Sequence, residues 1–164
     1  MATPRESIVP ITEYATASLP ISTMPERIAY ARTRAGYGIV RMASAIGVHK
    51  AYYSLIERQC DRIGIDTLCA ISDVTQTDLD WLIYGPNPPD HFPLDAPTPG
   101  QRLRQFRTIN GITCKALAQK AFGLNKLSTI SSWETDRTKP ELRTLKRIAD
   151  AYSISVVSFI KAAE

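Results

Sequence analysis

The segment 123-GLNKLSTISSWETDRTKP-140 sets four hydroxyl residues around one isoleucine, follows them with a Trp-Glu pair and leaves through Arg-Thr-Lys-Pro. At helical spacing Ile130 and Trp133 stand at i and i+3 and share an inward face. Ser128, Thr129 and Ser132 are then left to the outer or flanking faces, where short hydroxyls can donate to phosphates or base edges without steric obstruction. Ser131 and Glu134 have no settled face in this reading. Two explanations fit: an ordinary amphipathic helix with a basic exit loop, or a surface built to lie against a nucleic acid.

Outward from this segment the C-terminal part of the chain keeps helix period. Leu103 and Phe106 stand at i and i+3, Leu117, Ala118 and Ala121 form a second stripe, and Leu142, Leu145, Ile148, Ala149 and Tyr152 a third. Asn110-Gly111 ends the first helix, since glycine accepts the left-handed conformation there, and Thr113 can cap the next by accepting from a free backbone N–H. Pro140 is expected in the first turn of the fourth helix, with Glu141 suited to the positive end of its dipole. A final short helix carries Val156, Phe159 and Ile160. The predicted spans are 100–109, 113–121, 127–134, 140–151 and 155–162. Residues 25–84 repeat the plan, with helices predicted near 26–34, 39–45, 49–57, 65–73 and 78–83. The parallel is visible between 42-MASAIGVHKAYYSLIE-57 and 117-LAQKAFGLNKLSTISSWE-134, the second copy being two residues longer.

Two segments break this pattern. Residues 1–24 contain three prolines and many Ser and Thr with no sustained period, and read as a flexible arm. Residues 85–99 contain six prolines, which break helix and sheet pairing, and read as a linker; fully extended at about 3 Å per residue they span one DNA turn of roughly 34 Å.

Charge is distributed unevenly. Residues 100–164 hold twelve basic and five acidic side chains, a net +7, whereas 25–84 hold seven of each. The positive field therefore belongs to the C-terminal part, as expected of a region that meets a polyanion. Cys60, Cys69 and Cys114 are odd in number without C-x-x-C spacing, and His49 and His91 lack paired ligand spacing, so the cysteines read as buried or inert thiols and no metal site is expected. No P-loop, G-x-S-x-G, H-E-x-x-H or dinucleotide turn occurs, so neither enzymatic activity nor a cofactor is expected. The sequence contains no run near the roughly 18 apolar residues of a membrane span and no secretory signal at its start, and a cytoplasmic location is expected.

In the second half, Arg102-Leu103-Arg104, Gly111, Thr113, Leu117-Ala118, Gly123, Ser128-Thr129-Ile130-Ser131, Trp133-Glu134 and Pro140 together resemble the helix-turn-helix domain of the lambda-repressor/Cro type. The first half resembles it through Gly36, Met42-Ala43, Gly47-Val48, Tyr53, Ile56-Glu57 and Asp80-Trp81-Leu82. The resemblance implies an all-α chain of two tandem five-helix helix-turn-helix domains, 25–84 and 100–164, joined by the Pro-rich linker 85–99 and preceded by the arm 1–24. It further implies a bacterial or phage-like transcriptional regulator that binds double-stranded DNA, expected to repress rather than activate, with the third helix in the major groove. An intradomain structural role for Glu134 and Glu57 follows from it as well.

On that reading Lys115, Lys126, Arg137 and Lys139, with the N-terminus of helix two at Thr113, are expected at the phosphates, and Ser128, Thr129 and Ser132 at the base edges or backbone. The first half departs from the family: Gly38 stands at the usual Thr cap and His49 at the usual Ser. Its third helix offers Lys50, Ala51, Tyr52 and Leu55, in which lysine can read guanine or phosphate and Ala or Tyr can meet a thymine methyl. The same exposed face at zero net charge also suits homodimerisation or a protein partner, in which case the chain is an adaptor whose basic second domain binds DNA.

Overall fold

The computed structural model describes residues 21–59, 62–123 and 126–163. Most of the expected arm, together with Cys60, lies outside them. The described residues form ten helices and no strand: α1 Met24–Arg34, α2 Ile39–Ala45, α3 Lys50–Ile56, α4 Ile65–Thr75, α5 Leu79–Tyr84, α6 Pro99–Ile109, α7 Cys114–Phe122, α8 Leu127–Glu134, α9 Leu142–Ala151 and α10 Val157–Ile160. None is long and apolar enough to cross a membrane. Contacts divide the chain into two units, the first built on α1–α3 and α5 with most of α4, the second on α6–α10. Two tandem all-α domains are therefore present, as the duplicated pattern implies.

The last residues expected in the arm are instead part of the first unit. Thr23 caps α1, its hydroxyl accepting from Glu26 N while the Glu26 carboxylate accepts from Thr23 N, a reciprocal capping box. The hydrogen bonds that its carboxylate accepts from Thr23 and Ser22 hold the Glu26 carboxyl below its ordinary pKa.

Both units close in the same way. In the first, the buried Arg27 donates from Nε to Leu82 O and from Nη2 to Ile83 O at the end of α5, and from Nη1 to Ser22 O. In the second, the buried Arg102 donates to Phe159 O and Ile160 O at the end of α10, and to Ala96 O. Each guanidinium ties the start of its first helix to the C-terminus of its last, where carbonyls otherwise lack donors. Around this closure Ile28, Met42, Tyr53, Leu68, Ile71 and Leu82 fill the first core, and Leu103, Leu117, Ile130, Leu145, Ile148 and Phe159 the second. Phe106 meets Phe92, Tyr152 and Phe159 edge-on, with centroids 5.0, 5.3 and 5.6 Å away.

Two expectations need correction. The Pro-rich segment is not free along its length, because residues from 88 onward belong to the second unit. Leu94 is buried there, Phe92 N donates to Ser158 Oγ, Asp95 N and Ala96 N donate to Gln105 Oε1, and Ser155 N donates to Asp90 O. Prolines remove backbone donors, and the N–H groups of Phe92, Asp95 and Ala96 find acceptors on α10 and α6, so an extended strap packs where a spacer was expected. The span taken from fifteen extended residues therefore fails. In addition, α9 begins at Leu142; Glu141 is its N-cap, and Pro140 is buried ahead of it rather than within the first turn.

Tyr53 occupies the position that Ile130 holds in the second unit. Its hydroxyl is buried beside Arg32 and Glu57 without a well-formed hydrogen bond, and burial pushes its pKa upward. Tyr53→Phe is thus expected to leave stability within about 1 kcal/mol of the parent. Arg102→Met removes one donor from each of three carbonyls and should lower the unfolding free energy by about 3 kcal/mol or more. Urea unfolding followed by helical circular dichroism checks both.

Candidate nucleic-acid interface

The second unit presents its hydroxyl helix, α8, through local chemistry at each end. Thr113 caps α7, its hydroxyl accepting from Ala116 N at 3.1 Å, and Gly123 closes α7 in the left-handed conformation at φ 65°. Ile130 is completely buried and Trp133 nearly so, which fixes the rotation of α8 about its axis. Ser128 and Ser131 are exposed, and Thr129 and Ser132 half-buried. Ser131 had no settled face from sequence alone, yet at 100° per residue it stands beside Ser128 and away from Trp133, so the helical wheel already contained it.

The C-terminal end of α8 is fixed by a bidentate ion pair. Arg107 Nε lies 2.7 Å from Glu134 Oε1 and Nη2 lies 2.8 Å from Oε2, while Nη1 donates to Ile112 O at 3.1 Å. The hydrogen bond to Glu134 raises the Arg107 pKa above its ordinary value. One side chain thereby joins α6, the α6–α7 turn and α8. Arg32 does the same in the first unit, with Glu57 at 2.5 and 3.1 Å and Tyr37 O at 2.7 Å. Both glutamates thus take the structural role that the family resemblance implies, and their partners Arg32 and Arg107 each follow the buried Arg27 or Arg102 by five residues, a repeated spacing visible in the sequence.

The expected phosphate contacts are exposed. Lys115 lies in the first turn of α7, Lys126 immediately precedes α8, and Arg137 and Lys139 follow it. None of the four has an ion pair among the described residues. Lys126 Nζ instead lies 5.0 Å from the centre of the Phe122 ring, and Arg147 covers the same ring at 5.4 Å. Ser132 is less free than expected: its hydroxyl is 2.9 Å from Thr138 Oγ1, and its carbonyl accepts from Arg137 N and Thr138 N.

The equivalent face of the first unit differs in chemistry. His49 caps α3, its Nδ1 accepting from Ala51 N at 3.2 Å. Lys50 and Ala51 are exposed and Tyr52 half-buried. Val40 on α2 is 60% exposed and Leu55 on α3 is 44% exposed, which gives this face apolar side chains where the second unit has Lys115 and Ser132. Gly38 supplies α2 with no side-chain cap.

The helix-turn-helix family profile of the Cro/C1 type matches residues 28–82 and again 103–159. These matches cover more than half of the chain, so the protein belongs to this family and is a DNA-binding transcription regulator. No curated protein and no solved structure matches the chain significantly.

Glu134→Ala strands Arg107 and loosens α8 from its neighbours. It should cost about 2–3 kcal/mol of stability, less than for a sealed pair because Arg107 keeps part of its surface in water. Thermal or urea unfolding measures this, and a cost below about 0.5 kcal/mol would show that packing alone positions the helix.

Proposed function

We propose that the chain is a sequence-specific repressor that occupies double-stranded DNA with α8 of its second unit in the major groove. One observation carries this reading: four exposed cations without ion pairs among the described residues, Lys115, Lys126, Arg137 and Lys139, bracket a helix whose outer face sets the hydroxyls of Ser128 and Ser131 beside Leu127. The cations and the free N–H groups near Thr113 address phosphates, and Ser128, Ser131 and Thr129 address base edges. Ser132 serves the exit loop instead. Occupancy of a promoter suffices to exclude polymerase, which makes repression the simplest outcome, and the cytoplasm of a bacterial or phage-infected cell its setting.

The first unit extends the same contact in this reading. Lys50, Ala51 and Tyr52 lie along α3, and because His49 Nδ1 accepts from the backbone, Nε2 carries the proton and can donate to a phosphate. The exposed Val40 and Leu55 favour a second reading, in which this face pairs with another copy or with a protein partner and the second unit alone holds DNA. The double variant Val40→Ser, Leu55→Ser separates them. A change in oligomeric state with unchanged sequence preference supports the second reading, and altered preference at constant oligomeric state supports the first.

Selection of bound sites from random duplexes, followed by anisotropy titration across salt, tests the leading proposal. Neutralising four phosphates gives a slope of log K against log salt of about −3 to −4 from this unit. Arg137→Ala should weaken selected and random duplexes alike and reduce the slope by about 1. Ser128→Ala with Ser131→Ala should instead narrow the gap between selected and random sites. Binding without salt dependence, or no binding at low salt, overturns the proposal.

A further inference from the structure

The loop that carries Arg137 and Lys139 contains a carboxylate, Asp136, immediately before the first of these cations. By charge alone it opposes the approach of a phosphate, so its place in this loop calls for another explanation. Asp136 adopts φ 55°, the left-handed conformation that Asp and Asn tolerate better than most residues. Its N–H donates to Trp133 O at 3.1 Å. Its carboxylate accepts from two side chains at the start of α6: Thr98 Oγ1 donates to Oδ1 and Gln101 Nε2 to Oδ2, both at 2.6 Å. Thr98 is itself fixed as the cap of α6, accepting from Gln101 N.

The backbone around this contact is closely packed. A Cβ added to Gly100 would stand 1.9 Å from Trp133 O, so only glycine lets α6 and the end of α8 approach this far. On the other side of the loop, Ser132 holds Arg137 N and Thr138 N through its carbonyl and Thr138 Oγ1 through its hydroxyl. The loop from Asp136 to Thr138 is therefore held from both directions, at Asp136 by α6 and at Arg137 and Thr138 by Ser132.

We propose that Asp136 is a positioning residue for DNA binding: with Thr98 and Gln101 it forms a clasp that holds the exit loop, and with it Arg137, in the conformation that meets a phosphate. This rests on the proposed role of the second unit in binding DNA. A loop held in place before binding loses less freedom on association, and the gain exceeds the electrostatic cost of the carboxylate.

The sign of the response separates a clasp from a simple charge. Asp136→Gly keeps the left-handed backbone without strain, removes a negative charge and removes the clasp. Affinity of the full chain for a duplex selected from random sequence should fall about three- to tenfold. Asp136→Asn retains acceptor and donor groups that Thr98 and Gln101 can satisfy, so it should bind at least as tightly as the parent. Gln101→Ala, which leaves the charge of the loop unchanged, should weaken binding in the same direction as Asp136→Gly. In the DNA-free protein, the Arg137 and Thr138 amides should exchange faster in Asp136→Gly than in Asp136→Asn. Unchanged or tighter binding by Asp136→Gly overturns the clasp, and so does unchanged binding by Gln101→Ala should the glycine variant fail to fold. Arg137→Ala in the same titration reports on the underlying reading: if it leaves affinity unchanged, the loop does not meet DNA at all, whereas a loss there with none in Asp136→Gly removes the clasp alone.

Discussion

A guanidinium sealed beneath the last helix of each unit is the constraint on which the rest of the structure depends. Arg27 and Arg102 each donate to two terminal carbonyls of the closing helix and one carbonyl ahead of the opening helix. Burial disfavours the charged form, and desolvation lowers the Arg102 pKa, yet arginine remains protonated at any ordinary pH. A buried cation is tolerable here because carbonyls at a helix C-terminus present concentrated partial negative charge. The closing helices are short, and α10 has only four residues, so neither would be stable without such an anchor. With the ring of helices closed, a second arginine, Arg32 or Arg107, can reach the end of the third helix and set its position.

On this shared frame the two units carry different surfaces. The second surrounds a hydroxyl helix with exposed cations and fixes its exit loop through Asp136, Thr98 and Gln101. The first offers Val40, Ala51 and Leu55 with fewer cations, of which Arg41 lies against the Tyr37 ring. The cores differ too, with Tyr53 and Ile56 buried where the second unit buries Ile130 and Trp133, yet both keep the same helix order and the same arginine closure.

Helix positions were legible in the sequence because the apolar stripes and the Gly36, Gly47, Gly111 and Gly123 turns are local signals. The inward placement of Ile130 and Trp133 follows from spacing alone. The roles of Arg27, Arg102, Arg32 and Arg107 were not read, because each joins residues 25 or more positions apart and nothing in a charged side chain announces burial. The strap was misread for a related reason. Proline content reports backbone conformation, and whether an extended segment packs depends on acceptors such as Gln105 and Ser158 that lie elsewhere in the chain. The bond of Ser132 to Thr138 is likewise invisible to a helical wheel, which reports only the face a residue takes.

The central claim is that α8 and its basic flanks form the DNA-contacting surface. Amide chemical-shift mapping of the complete chain with a duplex selected from random sequence tests it most directly. The largest perturbations are expected at the start of α7, along Ser128–Ser132 and through Arg137–Lys139, with the core of α9 and α10 little affected. Perturbations confined to the first unit, or absent from α8 and the loop after it while the duplex is bound, would contradict it.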